Sequence, residues 1–488
     1  MSATPSTQGA GTASWVESPR AVLVPLALAQ FICSFAGSNM NVMISDITHD
    51  LHTDVKGVQT AITLFLLIMA VLMIPCSKLT DRWGRKRCLI GGLTLYGIGA
   101  VLSAIAPGLG VLILGYSTFQ GVGTAFLIPP VYILATMAFT SLESRAKAFG
   151  AIMGMGGIGA AAGPLIGGVI TSGISWRAAY VFQALVVGTI ILLSRRVVDP
   201  VPPDPTRPFD AIGAALSAVG MFFLVFGIVQ AGHNNTLLVI SLAIGVALLI
   251  AFFLYIRSRE RAGKEPLLST DLFRNRTSDL GLVTQNLQWL LLMGGSFVVS
   301  VFLQTELHYN AIQTGVIFTA ATVGVLVSSL AAPRLAKKYL QKTLIATGFV
   351  AAVAGIGLLL GLVKVASASA WAFAPGLLVF GLGVGVMLTP SVNLVQSAFP
   401  NEKQGEISGL SRSVSNLGSS FGTAIAGTIL VSNLVSGNGT YVAAMIVLAA
   451  LALVGLGVAI LLPANPLPTA GADVAPSGAA RGALDTAS

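Results

Sequence analysis

The 488-residue sequence predicts an all-α polytopic membrane protein of fourteen spans: two similar six-helix halves plus two extra central spans. Three observations predict it. Apolar blocks long enough to cross a bilayer alternate with short polar loops from end to end. Hydrophobic residues make up 55% of the chain and charged residues 9%. An ordinary soluble domain carries about 25% charged residues, so a soluble fold is excluded. An ordered series of glycine, proline and acidic positions also recurs at long period.

Read with a window of about 19 residues, the spans lie near 21–43, 58–76, 88–106, 109–137, 148–172, 175–194, 210–231, 237–256, 280–304, 314–333, 343–363, 371–397, 407–433 and 440–462. The predicted domains are an N-terminal tail (1–20), a first six-helix bundle (21–194), a linker holding two additional spans and a basic loop (195–279), a second bundle (280–462) and a disordered tail (463–488). No cleavable signal peptide is visible, because the apolar block from Ala21 runs on without a small-residue cleavage site. Of the 27 Lys and Arg, all but Lys56, Arg177 and Lys364 fall in tails or loops on the N-terminal side, or (Arg412) at that end of a span. This bias predicts cytoplasmic termini and a multi-pass protein of an inner (plasma) membrane. The net charge of +9 then reads as a topology signal and a contact for lipid headgroups, with no nucleic-acid partner. Pro200, Pro202, Pro203, Pro205 and Pro208 mark a stiff connector at 195–209. Arg257, Arg259, Arg261, Lys264, Arg274 and Arg276 mark a solvated basic loop at 257–279. Cys33, Cys76 and Cys88 lack metal-ligand spacing and read as packing thiols.

The repeat is carried by particular residues. At an offset of 260, Gly121, Gly123, Pro130, Ala138 and Phe139 recur as Gly381, Gly383, Pro390, Ala398 and Phe399. At 259, Glu143, Gly150, Gly159, Gly163 and Gly168 recur as Glu402, Gly409, Gly418, Gly422 and Gly427. Spans 4 and 5 are thus equivalent to spans 12 and 13. Two halves related about an axis along the membrane normal place a shared site between them, near midplane.

Span 5 carries the most specific pattern: Gly150, Gly159, Gly163-Pro164 and Gly167-Gly168. Spacing by four puts Gly159, Gly163 and Gly167 on one helical face, where missing side chains let a neighbouring backbone approach. Pro164 removes a backbone donor inside the membrane, so the helix should bend where protein packs against it. This five-part spacing resembles the antiporter motif on the fifth span of major facilitator superfamily exporters.

Other stretches resemble the same superfamily. Ser77-Lys78-Leu79-Thr80-Asp81-Arg82-Trp83-Gly84-Arg85-Lys86-Arg87 is similar to its loop signature G-x-L-x-D-R-x-G-R, with Ser77 at the first glycine. The resemblance implies a conformational latch made by Asp81, Arg82, Gly84 and Arg85, with Glu143 and Arg145 as local partners. Gln120-Gly121-Val122-Gly123-Thr124-Ala125 resembles R-x-x-Q-G-x-G-x-A, with Ser117 at the arginine. Asn41-Val42 ends a stretch resembling the D-x-T-x-x-N-V pattern of fourteen-span drug:proton antiporters, with Ala36 at the aspartate. Two charges that the family associates with proton coupling are therefore replaced by neutral residues.

None of the 18 Asp and Glu lies in the middle of a span. Asp46 and Glu306 sit at outer ends, and Asp210, Asp279 and Glu406 at inner ends. A titratable group reachable from both sides is what proton coupling needs, so the candidate coupling charges are Asp46, Glu306, Glu406 and Arg412. Either Asp46 or Glu306 binds a proton or cationic solute, or both are solvated loop acids. Arg412 lies three residues from Ser415, where the family often has an arginine; either it pairs with Glu406 or it snorkels to the inner surface. The candidate substrate path is neutral: Gln30, Asn39, Asn41, Tyr116, Gln120, Gln285, Gln288, Trp289, Asn393 and Gln396. An amide buried in lipid without a partner costs several kcal/mol, so each must face protein, water or solute.

No nucleotide loop, zinc-ligand helix or nucleophile motif is present, and neither an enzyme nor a cofactor is expected. The resemblance implies a monomeric exporter of amphiphilic small molecules, working by alternating access with proton antiport. A lipid or metabolite carrier and a non-transporting scaffold or sensor remain open on the residues alone.

Overall fold

The computed structural model describes residues 19–139, 142–199, 203, 205–206, 208–230, 234–336, 338–363, 372–399, 404–431 and 439–463. The expected tails, residues 1–18 and 464–488, lie outside them. Among the described residues fourteen helices are long and apolar enough to cross a membrane. The first eight are Ala21–Val42, Val55–Thr80, Arg85–Ala104, Leu109–Ala135, Gly154–Gly173, Trp176–Ser194, Ala211–Ile228 and Asn235–Arg261. The remaining six are Arg276–Glu306, Ala311–Ala332, Gln341–Gly361, Phe373–Gln396, Glu406–Val431 and Gly439–Leu461. They are spans 1 to 14, and ends on the side of the termini are called inner, following the basic-residue bias. Polar residues start several of them: Asp54, Ser175, Asn234 and Asn310 each accept an N–H of the first turn.

Burial separates centre from periphery. Span 9 buries 78% of its most apolar window and span 2 buries 72%, whereas the extra spans 7 and 8 bury 28% and 17%. Exposed Val239, Ile240, Ile250 and Leu254 on span 8 face where lipid would be. Span 7 lies along the seam between spans 2 and 13. There Val225 packs with Leu67 and Ala424, and Thr428 donates to the Ile228 carbonyl at 3.3 Å.

Between helices in lipid no hydrophobic force remains, so association depends on close packing and hydrogen bonds. The glycines supply it, in matched pairs. A Cβ on Gly159 would strike the Phe31 carbonyl of span 1, and one on Gly418 the Asn286 carbonyl of span 9. One turn on, Gly163 faces Ser38 and Gly422 faces the Leu290 carbonyl. Gly168 faces the Ala311 carbonyl of span 10, in the other half, and Gly427 faces Gln59 of span 2, again in the other half. A Cβ on Gly123 would lie 2.6 Å from the Tyr96 nitrogen, and one on Gly383 2.6 Å from the Ala352 nitrogen. The long-period repeat is thus a repeat of contacts. Pro164 sits inside the helix Leu142–Gly173, and its carbonyl is what a Cβ on Gly315 of span 10 would meet.

The loop between spans 8 and 9 departs from the sequence expectation. Arg257, Arg259 and Arg261 belong to the end of the span 8 helix, and Arg276 begins span 9. The segment between them is not simply solvated. Leu267, Leu268 and Leu272 are buried against Ile74, Ile256, Val395, Ile407 and Leu410. The apolar triplet explains the difference, and carboxylates complete it. Buried Asp210 accepts the Leu267 N–H at 3.1 Å, the Gly213 N–H at 3.0 Å and the Tyr255 hydroxyl at 3.2 Å. Arg259 stands 3.9 Å from the same carboxylate. All three cysteines are buried thiols, as expected from their scatter.

Two outcomes follow from this packing. Gly159→Leu should lower the melting temperature of the purified protein sharply, because overpacking against fixed backbone costs about 1–3 kcal/mol or more. Gly157→Leu, whose added Cβ meets nothing within 4 Å, should melt near the wild type. Asp210→Ala should cost about 3 kcal/mol or more by stranding buried donors, and limited proteolysis should then cut within residues 262–275.

Candidate functional site

The predicted latch is described only in part. The side chains of Asp81, Glu143 and Arg145 lie outside what the structure describes, as do the surroundings of Gly150 in the helix Leu142–Gly173. Gly84 turns span 2 into span 3 at φ 93°, a conformation that favours glycine. Arg85 is buried and Arg82 half-buried. The sequence reading missed Asp199 in the proline-rich connector. Its carboxylate accepts the Lys86 N–H at 3.2 Å, at the N-terminus of span 3, where negative charge is favoured. Lys86 Nζ in turn donates to the Arg195 carbonyl at 2.9 Å.

Across the inner side, Glu406 pairs with Lys78 of span 2 at 2.9 Å and accepts the Ser269 N–H at 3.2 Å. Lys78 also lies 3.2 Å from Glu265. This corrects the expected Glu406–Arg412 pair. The two are six residues apart, more than one and a half helical turns, and Lys78 approaches from the opposite half. Arg412 instead donates to the hydroxyl of Tyr132 on span 4, with its guanidinium 4.8 Å from that ring's centre. Tyr132 donates to Gln30 Oε1 at 3.0 Å, and Gln30 Nε2 to Ser34 at 3.3 Å.

Across the outer side, span 1 loosens into a tighter helical turn at Met40–Val42 before the short helix Ile44–Asp50. That break leaves backbone groups without helical partners. Gln304 of span 9 meets two of them, its amide donating to the Asn41 carbonyl at 2.7 Å and accepting the Ser45 N–H at 2.9 Å. Ser300 donates to the same carbonyl. A primary amide presents donor and acceptor as a peptide does, which is why one glutamine serves both groups. Neither Gln304 nor Ser300 was on the predicted path. The signal was there in Ser300 and Gln304, polar positions one turn apart near the end of an apolar span.

The candidate path residues divide by what they touch. Gln285 is engaged at both ends of its amide, by Ser411 at 3.0 Å and Ser415 at 2.9 Å, so it joins spans 9 and 13. Gln288 Oε1 accepts from Ser391 of span 12 at 2.9 Å, and its Nε2 finds no partner among the described residues. Asn39 and Gln120 are buried with both amide atoms unpartnered among the described residues, as is Asn41 Oδ1. Tyr116 stacks on Phe65 with ring centres 4.6 Å apart and donates to the Ala36 carbonyl at 3.3 Å. Trp289 and Gln396 are half-buried, and Gln396 reaches Ser408 at 3.5 Å. Asn393 is exposed, near the inner end of span 12.

The two neutral replacements are themselves bonded. Ser117 donates to the Ala61 carbonyl of span 2 at 2.7 Å, while Ala36 offers its carbonyl to Tyr116. At the outer ends, Glu306 is exposed and accepts from Tyr441 at 3.2 Å. Burial pushes the Asp46 carboxyl above its ordinary range. Arg177 and Trp176 hold the neighbouring Asp50 below it.

The family model of the Major Facilitator Superfamily matches residues 26–267, 211–423 and 284–484. The puromycin resistance protein pur8 of Streptomyces alboniger is 29% identical over 416 residues, 83% of this chain and 81% of that one. The multidrug efflux pump LfrA of Mycolicibacterium smegmatis is 27% identical over 430 residues, 88% of this chain and 83% of that one. The probable actinorhodin transporter of Streptomyces coelicolor is 28% identical over 409 residues, 80% and 69% of the two chains. Among solved structures, the peptide transporter POT bound to sulfate superposes with a TM-score of 0.66 at 16% identity, covering 91% of this chain and 94% of that one. That likeness concerns the fold. With fourteen spans, repeated glycine contacts and family matches that together run from residue 26 to 484, the chain belongs to the major facilitator superfamily of membrane transport proteins.

Proposed function

We propose that this protein exports amphiphilic or lipophilic small molecules across the plasma membrane by alternating access, with protons as the exchanged ion. The observation that carries the reading is the pair of buried amides on spans 1 and 4, Asn39 and Gln120, unpartnered among the described residues. Amides that nothing satisfies in an apolar surround are suited to orient a weakly polar solute. The names of the similar proteins, among them a multidrug efflux pump and an antibiotic resistance protein, support the same class. In this cycle Gln304 and Ser300 hold the outer ends together, and the glycine faces of spans 5 and 13 let the halves rock. The Asp81 loop stabilises one state. The protein works as a monomer amid its lipids.

A second reading, facilitative movement of a lipid or metabolite, is favoured by Ala36 and Ser117. Where the family has charges, this chain has a methyl group and a hydroxyl engaged by the Ala61 carbonyl. Proteoliposomes separate the two readings. Proton antiport predicts that an imposed pH gradient accelerates dye efflux several-fold; equal rates with and without the gradient leave facilitation.

The outer contact gives its own outcome. Gln304→Leu removes two cross-half hydrogen bonds, each worth about 1 kcal/mol net, so outer opening should be roughly five- to thirty-fold more frequent. A cysteine in place of Asn41, buried at 4% exposure, should then react correspondingly faster with a membrane-impermeant maleimide from outside. Unchanged labelling sinks the role given to Gln304.

A further inference from the structure

We infer that the outer seam between the halves is a loaded gate. Closing it strands polar atoms of Asn39, Asn41, Gln59, Thr63 and Thr171, and opening it hands them to water, which favours outward release of an apolar solute. The inference deepens the export reading, since it rests on the halves swinging apart.

Position comes first. All five residues belong to the first half, at the outer ends of spans 1, 2 and 5. Each is 5% exposed or less. Six of their polar atoms find no partner among the described residues: both amide atoms of Asn39, Asn41 Oδ1, Gln59 Oε1, and the hydroxyls of Thr63 and Thr171. Each stands at a contact with the second half or beside one. Gln59 and Thr63, one turn apart, meet span 13: Gln59 Nε2 donates to the Ala424 carbonyl at 3.4 Å, and the Thr63 carbonyl accepts from Ser420 at 3.1 Å. Asn41 carries the carbonyl taken by Gln304 and Ser300. Asn39 lies against Gly167, and Thr171 follows that glycine by one turn. Its neighbours Gly168 and Ser172 meet Ala311 and Ile312 at the start of span 10.

Contrast comes second. On the second half's side of this seam the hydroxyls are bonded: Ser420 to the Thr63 carbonyl, Thr423 to the Ser419 carbonyl at 3.2 Å and Thr428 to the Ile228 carbonyl at 3.3 Å. Side chains that cross the inner seam are bonded too, Lys78 to Glu406 and Ser413 to the Ala70 carbonyl. A buried donor or acceptor left unmade costs its full desolvation, which exceeds what one ordinary bond returns. Gly167 gives the Asn39 amide its space and offers it no side chain, and any Cβ there would strike Asn39 Oδ1. Gln304 and Ser300 oppose the load, so closure balances bonds made across the seam against bonds forgone beside it. When the seam parts, these groups take water, and a wet exit is a poor surround for an apolar body. The drive is hydration of neutral groups, so it acts on solutes of any charge.

The test reads outer opening, without solute, as the rate at which a membrane-impermeant maleimide labels Ala311→Cys in proteoliposomes of the full-length protein. That side chain is 2% exposed, where span 10 meets Gly168. The three native cysteines, all buried, are replaced by alanine in the parent. Thr63→Val and Thr171→Val keep the shape and remove one stranded atom each, so each should slow labelling about five-fold or more. Asn39→Leu removes two and should slow it further. All three should melt no lower than the parent. Thr284→Val, whose hydroxyl is bonded to the Gly281 carbonyl at 2.8 Å, should leave the rate within about twofold. Unchanged or faster labelling in either Thr63→Val or Thr171→Val overturns the inference. So does loss of folding in either, which would mean that the hydroxyl was bonded, and so does a parent that never labels. Dye efflux from the same proteoliposomes is measured separately. Slowed labelling in the variants with no efflux by the parent retires export and keeps the gate; efflux by the parent with labelling indifferent to the variants does the reverse.

Discussion

A bilayer core offers backbone no water and helices no hydrophobic reason to associate, so backbone-to-backbone approach holds this protein together. The approach occurs where side chains are missing. Span 5 lies on span 1 through Gly159 and Gly163, and span 13 lies on span 9 through Gly418 and Gly422. Gly168 and Gly427 carry the same device across to the opposite half. Polar bonds cross as well: Gln304 with the span 1 break outside, Lys78 with Glu406 inside, and along the seam of spans 2 and 13 Ser413 and Ser420 with the Ala70 and Thr63 carbonyls.

The fold was legible because its signals are one-dimensional. Hydropathy marks the spans, and the glycine offsets mark the two-fold relation without any knowledge of contacts. Much of the site was not legible, for a physical reason. Whether Gln285 serves a solute or a neighbouring helix depends on Ser411 and Ser415, more than 120 residues away in sequence. Residues such as Gln304 and Asp199 act on backbone groups freed by a helix break or a helix start, and such breaks are not written in composition. The basic loop is solvated at Arg257, Arg261, Lys264, Arg274 and Arg276, yet Leu267, Leu268 and Leu272 between them are buried, which the run of charges conceals in one dimension.

Charge is distributed in layers. Carboxylates near the inner surface serve as acceptors for chain segments, Asp210 for Leu267 and Glu406 for Ser269, and so organise the linker that covers that end. Outer carboxylates divide between Asp50, which is ion-paired, and Asp46, which burial makes harder to ionise. Between those layers the buried polar side chains of the described residues are mostly amides and hydroxyls, such as Asn39, Gln120, Gln285 and Ser415.

The position of span 7 has an asymmetric result. It lies along the seam of spans 2 and 13, where Val225 packs with Leu67 and Ala424, whereas among the described residues no helix shields the facing seam of spans 5 and 10, whose Leu165, Val169, Val316 and Val323 stay exposed. The two flanks, alike by internal repetition, therefore meet the membrane differently. Acyl chains can press against one and are held off the other, which gives the molecule a front and a back within a leaflet that its duplicated architecture alone would not.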